Sequence, residues 1–263
     1  MLRTGIWLLL CLTLIVAVRE SDRRMADVDL GTVRFPRDAM DAPVTLQDWR
    51  ETAGRRRYRL GYGHGTQAAE SIAADHERFG RKNQFKWKDE KDFFWRMTPE
   101  CVGQEWACIY AETFRRSAVD LEPFLDRIQQ ALEDESWSTL RASRWLLSLV
   151  QQIPYAIPTE HAFGVLPPAL VVSQDWGDCD SKSLLLMELL ERVGIDAILL
   201  TSEAHAHALV GIAVPSVGFG FKHLGREYAW AETTAAAPLG WLHPSMRLPN
   251  DWQVVPFERL VSK

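Results

Sequence analysis

The chain has 263 residues, 47% hydrophobic and 25% charged, with a formal net charge of -5. That composition is globular and long enough for one substantial core or two modest ones. The acidic balance excludes the basic footprint that a phosphate backbone requires, and no nucleic-acid partner is expected; the short run Arg55-Arg56-Arg57 reads as a solvated turn.

At the N-terminus Arg3 precedes an apolar run from Ile6 to Val18, and Arg19 ends it. The run is shorter than the roughly 20 residues that span a bilayer. It fits the core of an export signal over residues 1–24, either cleaved or kept as a membrane tether through residues 6–18. Both readings place the remainder in the periplasm or outside the cell. Export changes how cysteines are read. Cys101 and Cys108, with Gly103 between them to turn the chain, are expected to form a disulfide, which leaves Cys179 as the odd thiol.

Residues 25–118 are expected to form an irregular or β-rich region. Residues 25–45, with Pro36 and Pro43, read as an irregular arm. Residues 58–62 and 108–114 alternate as strands do, with a helix over 66–81 between them and a glycine-rich turn at 61–65. Residues 119–263 have a clearer period. Asp120 is placed to cap a helix carrying Leu121, Phe124, Leu125, Ile128 and Leu132. Ser138 starts a second helix, which Pro154 ends, and a loop with Pro158, Pro167 and Pro168 follows. A third helix, capped by Asp178, turns Leu184, Leu185, Leu189 and Val193 inward and stops at Gly194. Residues 195–201, 207–214 and 227–233 then read as strands. Helices followed by strands predict an α+β fold, with helices packed on an antiparallel sheet.

Three residues in this region suit thiol chemistry. Cys179 is expected as the first residue of the third helix, where unpaired N–H groups and the helix dipole favour thiolate. Asp178 and Asp180 oppose that, and a cationic His207 is expected to outweigh them. A hairpin centred near Gly220 sets His207 opposite residues 232–234, so Glu232 lies beside the imidazole and orients it. The alternatives are a structural thiol, and a metal site built from His205, His207 and Cys179.

The blocks Val150-Gln151-Gln152-Ile153-Pro154-Tyr155, Gly177-Asp178-Cys179-Asp180 with Lys182, His207-Ala208-Leu209-Val210-Gly211, and Trp230-Ala231-Glu232-Thr233-Thr234 occur in that order, with Gly240-Trp241 after them. Together the stretch from Leu149 to about Pro256 resembles the transglutaminase-like branch of the papain-like fold, as found in exported bacterial proteins. The resemblance implies Cys179 as nucleophile, His207 as base and Glu232 as orienting acid, with Glu where the family more often has Asp. His207, rather than His205, matches because Val210-Gly211 follows it. The implied activity is hydrolysis or transamidation of a peptide or protein amide through a thioester on Cys179, with no metal and no organic cofactor. A domain of this kind that has lost its chemistry and serves as a binding or scaffolding module of the envelope is the rival reading. The oxyanion would take the Cys179 N–H and a second donor from Gln151, Gln174 or Trp176, of which Gln151 is preferred.

Overall fold

The structure, a computed structural model, describes residues 27–35, 43–51, 56–82, 86–89, 92–94, 105–215 and 218–256. The expected signal over residues 1–24, the tether at 6–18 and Cys101 lie outside them. In chain order the elements are β1 (Asp27–Arg34), β2 (Val44–Arg50), β3 (Arg57–Gly63), α1 (Thr66–Lys82), β4 (Lys86–Asp89), β5 (Asp92–Phe94), α2 (Glu105–Asp134), α3 (Thr139–Gln152), α4 (Pro168–Gln174), α5 (Cys179–Arg192), β6 (Ala197–Ser202), β7 (His207–Ile212), β8 (Gly220–His223), β9 (Arg226–Ala231) and β10 (Gln253–Val254). The fold is α+β. No helix among the described residues is long and apolar enough to cross a membrane.

The main sheet has the order β10-β6-β7-β9-β8, antiparallel throughout. Strict alternation gives it two different faces. Leu199, Val210, Ile212, Ala229 and Ala231 face the helices and join the large core. Ile198, Leu200, Leu209, Tyr228 and Trp230 face the other way and are covered by Leu242 and Trp252. Helix α5 lies against the first face. Every residue from Leu184 to Leu190 on it is buried, Glu188 included, so it is enclosed all round rather than on one stripe. Each fully buried leucine there contributes about 1.5–3 kcal/mol. Gly194 stops the helix with φ +68°, a conformation that favours glycine.

A second sheet, β1-β3-β2, pairs β1 parallel and β2 antiparallel to β3. It docks on α3 through an aromatic group. Trp145 of α3 lies 5.2 Å from Trp49, 5.3 Å from Tyr58 and 5.3 Å from Trp137, measured between ring centroids. The two sheets therefore share one continuous core that runs from Leu30 to Val255.

Several sequence expectations are corrected here. Residues 25–45 are not an irregular arm throughout, because β1 occupies Asp27–Arg34. Residues 108–114 are helical, inside α2. The apparent alternation misled because Ala107, Cys108, Ile109, Tyr110 and Ala111 are all buried, so polarity there does not report an inside and an outside. Asp120 is not a cap but lies within α2, and so does the expected domain boundary at 118/119. Pro168 does not sit in a loop. It opens α4 at a position where its missing N–H costs nothing. The helix over residues 66–81 is found as α1, and the strand over 58–62 as part of β3.

Candidate active site

Asp178 caps α5: its Oδ1 accepts from the Ser181 N–H at 2.9 Å and from the Ser181 hydroxyl. The cap makes Cys179 the first helical residue and buries it against β7. The sulfur receives the backbone N–H groups of Ala208 and Asp180, and lies 3.9 Å from Asp180 Oδ2. Asp180 is held in turn by the Tyr110 hydroxyl, which donates to Oδ1 at 2.7 Å from the first turns of α2. Burial first, then the charges of Asp180 and Asp178, push the thiol up to about 12. The two N–H groups act in the opposite direction and lose. Burial also raises both aspartates, which repel one another. The expected offset by His207 is therefore not achieved, and the thiol rests protonated.

His207 opens β7. Its Nε2 lies 2.8 Å from Glu232 Oε2. A carboxylate only accepts, so Nε2 carries the proton and Nδ1 is left as the basic nitrogen. Glu232 sits just past β9, where its Oε1 accepts from the Thr234 N–H at 2.8 Å and the Thr234 hydroxyl at 2.6 Å. Burial pushes Glu232 up, but the His207 bond and charge and the Thr234 donors together hold it below its ordinary value. Trp252 stands edge-on beside the imidazole, with ring centroids 6.2 Å apart. No hydrogen bond joins the His207 ring to the Cys179 sulfur.

The register behind this pair agrees with the sequence reading, by a different route. Val210 pairs with Ala231 and Ile212 with Ala229, so continuing the ladder sets His207 opposite Thr234. Gly220 is not the tip of a simple hairpin. It starts β8, which folds back onto the outer edge of β9 around Gly225.

His205 is elsewhere. Its Nε2 pairs with Asp251 Oδ2 at 3.1 Å and its ring packs on Trp252. Among the described residues, the metal-type ligands that gather within 4.8 Å are Asp178, Cys179 and Asp180. Asp178 already spends Oδ1 on the helix cap, and a set built from His205, His207 and Cys179 is not formed.

The oxyanion expectation for Gln151 is corrected. Its Nε2 donates to the Glu232 carbonyl and to the Ala237 carbonyl, both at 2.8 Å. An amide with both protons committed has none for an oxyanion. Gln151 instead ties the end of α3 to the loop that positions Glu232. Lys182 makes a parallel tie: fully buried, it donates from Nζ to the Ile153 carbonyl at 2.7 Å. Burial pushes it down to about 8, against the pull of Glu232.

A cleft of about 680 Å³ reaches this site, lined by Trp106, Tyr110, Asp180, Ser202, Glu203 and His207 among others. Trp106 and Tyr110 stack at 5.6 Å along one wall. Sequence spacing does not show these aromatic residues, because residues 108–114 alternate as a strand does and Tyr110 lies 70 positions from Asp180. The expected disulfide is half visible: Cys108 is disulfide-bonded and Cys179 is free. Comparison with family models, with curated proteins and with solved structures gives no match.

Proposed function

We propose that this chain is an exported, thiol-dependent amide hydrolase or acyltransferase with a papain-like, transglutaminase-like core. The observation that carries the reading is the 2.8 Å His207–Glu232 pair at the start of β7, the strand whose next residue, Ala208, gives its N–H to the sulfur of Cys179. In the reaction His207 Nδ1 takes the thiol proton and Sγ attacks the amide carbonyl carbon. The C–S bond forms, and the carbonyl oxygen becomes an oxyanion. Collapse breaks the C–N bond, and His207 gives its proton to the leaving amine. Water then cleaves the thioester to a carboxylic acid, or a second amine takes the acyl group to form a new amide. Either step returns the thiol. Glu232 keeps the imidazole in the tautomer that presents Nδ1 and stabilises its cation. The substrate is a peptide or protein amide entering along the Trp106–Tyr110 wall.

The disulfide at Cys108 supports export, since such bonds persist in oxidising compartments. We assign its partner as Cys101; mapping without reductant should give a Cys101–Cys108 cross-linked peptide, and a Cys11–Cys108 peptide overturns the assignment. One observation favours the rival reading of an inactive envelope module, namely the buried thiol pushed up to about 12. Labelling with an amide-mimicking electrophile separates the two. The active enzyme labels at Cys179, not in Cys179→Ala, and slowly in His207→Ala. Equal rates in wild type and His207→Ala would give the rival the lead.

A further inference from the structure

Helix α5 carries Cys179 at one end and borders a second cavity near the other. This groove, of about 410 Å³, lies against α2 and is lined by Phe114, Ala118 and Leu125 from α2 and by Glu188, Glu191 and Arg192 from α5, with Arg115 at its rim. Glu188 is 4% exposed, and neither of its carboxyl oxygens has a hydrogen-bond partner. A buried carboxyl left in this state costs stability and calls for an explanation. Glu191 forms no ion pair among the described residues. The nearby cations are committed: Arg192 to Glu122 at 3.2 Å and to Asp126, Arg115 to Glu112. The groove thus offers two unpaired acids on one helix turn, at positions three apart, above an apolar wall.

We propose that this groove binds an alkylammonium group, free or at the end of a lysine side chain, with its nitrogen between Glu188 and Glu191 and its methylenes along Phe114, Ala118 and Leu125. An anion has no spare cation to meet there. A metal ion is disfavoured because no three metal-type ligands converge at this place among the described residues. The site is separate from the thiol chemistry, roughly 13 Å along the helix from Cys179 at 1.5 Å per residue.

Occupancy carries a proton balance. Burial, with the charges of Glu191 and Glu122 in the same direction, holds the Glu188 carboxyl well above the usual carboxylate range and so favours its protonated form. Glu191 is also raised by burial. The other charged groups lining the groove are Arg192 on the same helix and Arg115 on α2; Glu122 and Asp126 of α2 reach it only through their pairing with Arg192, and α3, α4 and the sheet contribute none to its lining. An incoming ammonium favours carboxylate, so binding at neutral pH releases a proton from Glu188 to solvent.

The test is calorimetric titration of the full chain, in a Cys179→Ala background, with cadaverine and with N-acetyl-lysine amide. Buffers of different ionisation heat report the released proton. Saturable binding with proton release is expected. Glu188→Gln, a neutral isostere of the protonated acid, should weaken binding by roughly tenfold or more and abolish the proton release; Glu191→Gln should weaken it less. Tighter binding of cadaverine assigns a free amine, and tighter binding of the capped lysine assigns a protein side chain. If Glu188→Gln fails to fold, the loss in Glu191→Gln carries the test. The proposal is overturned by absence of saturable binding, by equal binding to both Gln variants and their parent, or by binding of calcium or magnesium ions in place of the amines.

Discussion

The two halves of the candidate site are built on opposite electrostatic principles. Around Glu232 every acceptor has a donor: His207 on one oxygen, the Thr234 N–H and hydroxyl on the other, and Gln151 on its carbonyl. The result is a carboxylate that stays charged although it is buried. Three acidic groups, the Cys179 thiol and the carboxyls of Asp178 and Asp180, crowd the start of one helix, and burial raises all three. One half holds charge in the resting state and the other suppresses it. The difference teaches that a helix N-terminus does not by itself make a thiolate, because desolvation and two neighbouring carboxyls outweigh a partial dipole charge.

Breaking the satisfied half should have the largest effect. Glu232→Gln keeps a hydrogen bond to the ring but loses the charge and frees the tautomer, so turnover should fall by roughly 10²- to 10⁴-fold while staying above that of Cys179→Ala. Burst and steady-state rates with an activated amide measure this, and an unchanged kcat would remove Glu232 from the mechanism. Asp180→Asn sharpens the crowded half. It removes one charge beside the sulfur and retains an oxygen for Tyr110, so the thiol midpoint should fall by about one unit and alkylation below that midpoint should quicken about tenfold. The pH profile of alkylation gives the answer, and an unmoved profile would mean that burial alone raises the thiol.

The smallest effect expected concerns Lys182, which lies beneath both halves. Its folded value is near 8, and that of an unfolded lysine near 10.5. Below about pH 8 it is charged in both states and its buried charge destabilises the fold in full. Between about 8 and 10.5 the unfolded chain binds the extra proton, so this residue makes stability rise with pH across that window. Urea midpoints of wild type and Lys182→Met against pH should diverge there, with the upward slope present only in the wild type. Parallel curves would show that Lys182 keeps its ordinary value.

Much of the C-terminal half was legible because its signals are local. Ser138 and Asp178 at helix starts, Gly194 as a stop, and the short apolar runs of β7 and β9 each depend on a few adjacent residues. The His207–Glu232 pairing was legible as well, because strand register is arithmetic once two strands are placed. Three things were not legible. The first turns of helix α2, from Ala107 to Ala111, are buried at every position, so their period does not show. The role of Gln151 depends on where the Ala237 carbonyl lies, which only the folded loop determines. The balance at Cys179 depends on how much water the fold removes, and sequence spacing does not report desolvation.

The aromatic group at the junction of the N-terminal sheet and α3 has an optical consequence. Neighbouring rings among Trp49, Trp137, Trp145 and Tyr58 lie with centroids 5.2–6.2 Å apart. At such separations their transitions mix, and the cluster should give a strong near-ultraviolet circular dichroism signal that vanishes when the sheet lifts from the helix. The protein thus carries an intrinsic chromophore for one particular joint. Following that band together with thiol alkylation during slow denaturation would show whether this joint and the thiol environment give way in one step or in sequence.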